Sequence, residues 1–400
     1  MKRSRMARRW VRVPVLVVVG LLGCGDRASE EGRSSEPARE PPRPPPLACA
    51  DGHADCDGDR DNGCETDLTS DPARCGGCMS ACAPGQGCGG GVCRGREPTG
   101  LGGGERFSCA VLRDGRVACW GDDSGGQLGD GSARGGPGPV IVPELSGIVE
   151  IAVGGAHVCA RAARGPVRCW GENGDGQLGD GSRQDRPAPV EVTGLADVAQ
   201  VIAGRGHTCA RLRGGRASCW GGGQGDAATD VVGAEGALQL AAGGNHSCAL
   251  DARGGVRCWS ASSSSPAVPV VGIEGAVEIA VSSEQACARL ADGSVMCWTP
   301  GVATAPAAVD GAEGATLLFP RGTGMCAVDG QRRTRCWTAG RAVAVDPRYG
   351  DGTPMGSVGR HACAADRSSA ITCWGDNRHG QLGDATRRSH EEPILVPISG

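Results

Sequence analysis

Apolar residues in this chain come in short runs, each closed by glycine. Val149-Glu150-Ile151-Ala152-Val153 alternates and then stops at Gly154-Gly155. Residues 157–162 form a second run, Arg164-Gly165 a turn, and residues 167–170 a third run. Pro189-Val190-Glu191-Val192 supplies a fourth. Alternation over such short lengths indicates strands rather than helices. Short strands bounded by glycine turns predict an antiparallel sheet unit of about four strands.

The unit recurs. A cysteine, nine residues, a second cysteine and a tryptophan occur first at Cys109, Cys119 and Trp120, then at Cys159, Cys169 and Trp170. The third copy has Cys209, Cys219 and Trp220, and the fourth Cys248, Cys258 and Trp259. The same spacing returns at Cys287, Cys297 and Trp298, at Cys326, Cys336 and Trp337, and at Cys363, Cys373 and Trp374. First cysteines are separated by 50, 50, 39, 39, 39 and 37 residues. A period of this size marks a repeat architecture. Seven units of about four strands predict an all-β fold, a seven-bladed β-propeller over residues 97–400. Asp114-Gly115 sits midway between Cys109 and Cys119 and signals a hairpin. The hairpin sets each cysteine pair opposite on adjacent strands, so all fourteen are expected in disulfides. The bridge needs a closely spaced, non-hydrogen-bonded pair.

Copies one, two and seven end in Gly-Gln-Leu-Gly-Asp, at Gln127, Gln177 and Gln381. Copies three to six lose this tail, as at Trp259, followed by Ser-Ala-Ser, and are expected to have a shorter outer arm. Gly221-Gly222-Gly223-Gln224-Gly225 reads as an eroded tail rather than a phosphate cradle. The pattern carried by Gly155, His157, Cys159, Ala160, Cys169, Trp170, Gly171, Asn173, Gly176, Gln177, Leu178 and Gly179 resembles the regulator of chromosome condensation repeat, in its exported bacterial form. The resemblance implies the seven-bladed propeller. It does not carry over nucleotide exchange on a small nuclear GTPase, the activity of the eukaryotic member.

Lys2, Arg3, Arg5, Arg8, Arg9 and Arg12 precede an apolar stretch at residues 13–22, too short to span a bilayer. Leu21-Leu22-Gly23-Cys24 resembles a bacterial lipobox. That resemblance implies cleavage of a signal peptide at residues 1–23, lipidation of Cys24, and an exported, membrane-anchored chain facing the periplasm or cell exterior. Residues 24–47 are Pro-rich without apolar periodicity, a disordered tether. Residues 48–94 hold eight cysteines: Cys49, Cys56, Cys64, Cys75, Cys78, Cys82, Cys88 and Cys93. Of the 23 cysteines, setting Cys24 aside leaves an even number, which favours a disulfide module. Zinc at Cys75-Gly-Gly-Cys78 is the rival reading. Asp57, Asp59 and Asp61 alternate as calcium ligands do, but Asn62 and Leu68 break the EF-hand pattern, and a solvated acidic turn is the plainer reading.

Net charge is −4, and the cationic residues are dispersed arginines with Lys2 as sole lysine, which argues against nucleic acid as a partner. His157, His207, His246 and His361 stand two before a repeat cysteine, where other copies have Phe107, Gln285 and Gly324. A slot that accepts Phe and Gly is structural. No catalytic residue is assigned: no HExxH, GxSxG or Walker pattern occurs. The sequence therefore reads as a non-enzymatic lipoprotein whose propeller binds protein or glycan partners at the cell envelope. A propeller of similar repeat type, a beta-lactamase inhibitor protein, binds protein in this way. The alternative is a hydrolase or lyase on surface polysaccharide. That needs acids such as Glu144, Asp185 or Asp230 converging on one pocket. Residues 393–397 are apolar beyond the last tail, while the first copy opens weakly at Thr99-Gly100-Leu101. The terminal segment is expected to lie beside the first copy and close the ring.

Overall fold

A computed structural model describes residues 98–398 apart from 137, 263, 303–304, 339–352, 355, 358 and 366–369, with scattered positions between 49 and 95. Cys24, the tether and Asp57, Asp59 and Asp61 lie outside the described residues. Among the described residues every regular element is a strand. In the Cys-rich segment, Cys49 is bridged to Cys64 and Cys56 to Cys78. Cys78 is thus no thiolate for zinc, which replaces the zinc alternative at Cys75 and Cys78.

Seven antiparallel blades follow. Blade 2 shows the full unit: Ile148–Val153, His157–Ala162, Val167–Gly171 and Arg186–Glu191, ordered from the ring's inside outward. Blades 3, 4 and 5 keep the first three strands but end in two-residue outer strands, Thr229–Asp230, Val268–Pro269 and Ala307–Ala308. Blade 1 has an equally short outer strand, Val140–Ile141, although it retains its tail. The inner strands of neighbouring blades lie side by side around the axis.

The cysteine pairs sit mid-strand, in register, as Cys159 opposite Cys169. All seven expected bridges are present. Cys109 is joined to Cys119, Cys159 to Cys169, Cys209 to Cys219 and Cys248 to Cys258. Cys287 is joined to Cys297, Cys326 to Cys336 and Cys363 to Cys373. Their Cα atoms are 4.0 to 4.1 Å apart. That spacing belongs to the close, non-hydrogen-bonded pairs of an antiparallel ladder. At the hairpin tip, Gly115 has φ +79°, and a Cβ there would stand 2.7 Å from the Gly147 nitrogen. Only glycine lets the next blade approach so closely.

Aromatic residues are few, so the core is built of small layers between blades. Trp120, Trp170 and Trp220 are fully buried and pack with Val, Leu and Ala from the neighbouring blade.

Ring closure differs from the sequence expectation. Pro98–Gly103 is a complete inner strand of blade 1, paired with Phe107–Leu112. The terminal strand His390–Leu395 is the outer strand of blade 7 itself, paired with Ile371–Gly375. Ile394 within this strand and Val396 just beyond it still pack in one cluster with Leu112 and Trp120 of blade 1. The ring closes by packing, and by a parallel bridge in which Gly356–Ser357 contacts both Arg321 and Gly102-Gly103. Glycine lacks side-chain packing and so hides a strand from sequence pattern.

Candidate functional site

The residues that recur among the blades are spent inside the ring. At the junction of blades 2 and 3, the backbone carbonyl of Gln177 accepts from Trp220 Nε1 at 2.9 Å and from Thr208 Oγ1 at 2.9 Å. His157 Nε2 lies 2.8 Å from that same Thr208 hydroxyl. The hydroxyl's one proton goes to Gln177, so His157 donates from Nε2. The junction of blades 7 and 1 repeats the network: His361 to Ser108 at 2.8 Å, Ser108 to the Gln381 carbonyl at 3.2 Å, Trp120 to that carbonyl at 2.9 Å. At blades 1 and 2, Trp170 meets the Gln127 carbonyl at 3.0 Å, and Phe107 and Val158 replace the His and hydroxyl in one apolar cluster. At blades 3 and 4, His207 reaches Ser247 at 2.8 Å, but the tail is gone. The Gln-Leu-Gly tail is therefore a latch between blades, not merely the edge turn that its glycines imply.

Burial holds these imidazoles neutral: His157 is pushed down to about 3, with His207 adding to the effect, and His207 to about 4, with His246 adding. His361 falls to about 4 by burial, with Asp376 opposing. The four histidines are divided among separate junctions, and those at 157, 207 and 361 have structural partners.

The exposed side of the ring is different in kind. The loops joining first to second strands ring one mouth of the channel, linked by backbone bonds from Glu105 to Gly155 (2.9 Å), Gly155 to Arg205 (3.0 Å) and Arg205 to Gly244 (2.7 Å). On this rim Glu105 of blade 1 pairs with Arg205 of blade 3 at 2.8 Å, reaching across Gly155 of blade 2. A side chain at Gly155 would collide with Arg205. Below the pair lies a cleft of about 300 Å³ walled by Arg106, Asp122, Glu172 and Asp185. Asp185 accepts from the Asn173 amide at 2.7 Å, which ties the cleft wall to the tail of blade 2. Desolvation at the wall, then the carboxylates of Asp185, Asp175 and Glu105, raise the Glu172 carboxyl, with Arg205 opposing.

Inside the channel, residues at one register on successive inner strands reach the next blade's backbone. Glu150 accepts from the Val201 amide (3.2 Å), Gln200 exchanges bonds with Leu240 (2.8 and 2.9 Å), and Gln239 does the same with Ile279 (2.9 and 3.0 Å). Glu278 accepts from the Leu318 amide at 3.2 Å and binds Arg289 at 2.7 Å.

The three acids named as a test of convergence do not share a pocket. Asp185 lines the cleft above, Glu144 lies beside Arg164 and Arg168 in another, and Asp230 binds Arg216 and Ser218. The cleft's other acids, Glu105, Asp122 and Glu172, lie in loops far apart in sequence and carried no local signal. Among the described residues no group of three or more His, Cys, Asp or Glu side chains is placed to hold a metal, and no helix is long and apolar enough to cross a membrane.

Two family models, both described as the regulator of chromosome condensation (RCC1) repeat, match this chain. One covers residues 114–161 and 165–211, the other 100–127, 148–177 and 238–265. No curated protein sequence matches the chain. Among solved structures, Prp20p from Saccharomyces cerevisiae is similar at TM-score 0.60 and 17% identity, over 74% of this chain and 87% of that one. Yeast RCC1 (Prp20) in its complex with Kap60 gives 0.59 and 16%, over 75% and 84%. The chain is a seven-bladed β-propeller of the regulator of chromosome condensation (RCC1) repeat type.

Proposed function

We propose that this chain is a non-enzymatic cell-envelope lipoprotein, anchored through Cys24, whose propeller is a binding platform for a protein or glycan partner. One observation carries the binding reading. The recurring residues are buried at the junctions, while the channel rim presents Glu105, Gly155, Arg205 and Gly244 at matching places, a charge pattern that changes from blade to blade. Loops that vary on a fixed scaffold are where repeat proteins recognise partners. The two yeast structures concern a propeller described as binding Gsp1p and histones, or Kap60, which supports protein as the partner class. Export is supported by the cysteine usage, since paired thiols persist in oxidising compartments.

In-cell cross-linking of the full chain tests the platform. Recovery of a partner should fall at least tenfold in Glu105→Arg and Arg205→Glu. It should hold in Arg253→Glu, an exposed hairpin-turn residue. Equal recovery from all three would place binding elsewhere. Membrane fractionation of Cys24→Ser tests the anchor, and retention like wild type removes it.

A second reading, cleavage of surface polysaccharide, is favoured by the acids that do converge, Glu105, Asp122, Glu172 and Asp185, with burial and the neighbouring carboxylates raising Glu172. Glycan turnover that is lost in Glu172→Gln would favour it over the platform.

A further inference from the structure

At the junction of blades 4 and 5 the latch has no occupant. Blade 4 has lost the tail, and Trp298 of blade 5, only 7% exposed, has no partner for Nε1 among the described residues. The His slot is filled by His246, but the position that holds Ser108, Thr208 or Ser247 at the other histidine junctions is Ala286 here. His246 therefore lacks the hydroxyl that its counterparts have. In place of the tail lies a cleft of about 720 Å³. Its walls are mostly apolar, and its rim leaves Val268, Val271 and Val302 exposed at 61, 84 and 54%. The cleft continues the packed interface of these two blades, because Trp298 and Cys258 belong to the same core cluster. A site of this size with few polar groups suits a ligand.

The chain itself states what fits such a space. At three junctions it is filled by Gln-Leu-Gly in an extended turn, with the Gln carbonyl on the indole N–H and Leu128, Leu178 or Leu382 fully buried. We propose that the cleft between blades 4 and 5 is a peptide-binding site. Its ligand is a loop of a partner protein that inserts a Leu-sized side chain and offers the preceding carbonyl to Trp298 Nε1. A second copy of this chain is a poor donor, since its own three tails are buried in their junctions. The site is separate from the charged rim and does not depend on it.

The probe is the acetylated, amidated peptide Asn-Gly-Asp-Gly-Gln-Leu-Gly-Asp, the sequence of residues 173–180. It is titrated into the full chain, with the tryptophan indole N–H signals followed by NMR. One indole should shift saturably, with Kd on the order of millimolar to high micromolar because a flexible peptide must be ordered. That signal should be absent in Trp298→Phe, which should bind about threefold to tenfold more weakly for loss of one hydrogen bond. Val271→Lys changes only an exposed rim residue and should weaken binding more than tenfold. A peptide with Leu replaced by Ser should not compete. No saturable shift, or equal binding by Val271→Lys and the Ser peptide, overturns the proposal. Grafting the blade 2 tail after Trp259 should abolish binding and raise the unfolding midpoint, and binding that survives the graft also overturns it.

Discussion

Trp220 donates its indole N–H to the backbone carbonyl of Gln177, one blade back, at 2.9 Å. The tryptophan is fixed in every repeat, and at Trp120, Trp170 and Trp220 its acceptor is the Gln carbonyl of the tail that the preceding blade keeps. Trp259, Trp298 and Trp337 follow tail-less blades, and their Nε1 atoms have no partner among the described residues. Replacing either class by Phe removes the same volume, so the difference isolates the hydrogen bond. Trp220→Phe should cost about 1 to 3 kcal/mol more than Trp259→Phe, because the second substitution also deletes an unsatisfied buried donor. Denaturant midpoints for the two variants measure it, and equal losses would mean the bond contributes nothing.

The glycine of the tail has its own role. Gly179 has φ +68°, and a Cβ there would stand 2.8 Å from the Trp220 ring. Gly181 has φ +81° with nothing within 4 Å. Gly181→Ala should cost about 1 to 2 kcal/mol for left-handed backbone alone. Gly179→Ala adds displacement of the indole from Gln177, and its melting temperature should fall clearly below that of Gly181→Ala. A smaller drop at 179 would show that the ring relaxes without loss.

The junction histidines make stability depend on acid. His157, His207 and His361 have folded values near 3, 4 and 4, below the ordinary 6.5. A depressed imidazole is neutral in the fold and charged when unfolded, so its contribution is complete above about pH 6.5 and shrinks as pH falls. Each should add a slope approaching about 1.4 kcal/mol per pH unit between about pH 4.5 and 6. Asp123 and Glu172 are raised and act in the opposite sense, so the comparison is with a variant. His207→Gln should flatten the profile by about one proton in that window. An unchanged slope means His207 titrates normally in the fold.

The ring's repeat number, its hairpins and its bridges were legible because the cysteine spacing and glycine turns act locally. The same ten-residue separation that pairs Cys209 with Cys219 also pairs Cys326 with Cys336 and Cys363 with Cys373, although the residues between them differ. The latch was not legible, because each partner sits one blade away. A signal was nevertheless present: Ser108, Thr208 and Ser247 follow blades carrying His361, His157 and His207, whereas Val158, Met325 and Ala362 follow Phe107, Gln285 and Gly324. Ala286 after His246 is the exception, and the cleft lies there. The inner strand Pro98–Gly103 was obscured by its glycines, and the charged cleft by acids drawn from unrelated loops.

The seven hairpin bridges should differ in how readily they open. Each closes a loop of eleven residues, worth somewhat under ~3 kcal/mol in the chain-entropy model, so loop length does not distinguish them. Access does. Cys159 and Cys169 are fully buried between latched blades. Cys258 and Cys297 are 8 and 6% exposed, and Cys258 lines the unlatched cleft. Thiolate attack needs a path to sulfur. Native protein treated with stepwise reductant and alkylated should therefore label the Cys248–Cys258 and Cys287–Cys297 pairs before Cys159–Cys169 in peptide mass spectrometry. Without reductant, disulfide-linked peptides should appear for all seven pairs. Labelling of Cys159 and Cys169 first would show that blade latching does not govern access. Labelling of the repeat cysteines without reductant would show that the bridges are not formed in the isolated protein. Grafting the tail after Trp259 should then delay opening of Cys248–Cys258, because the same segment that seats on Trp298 also covers Cys258.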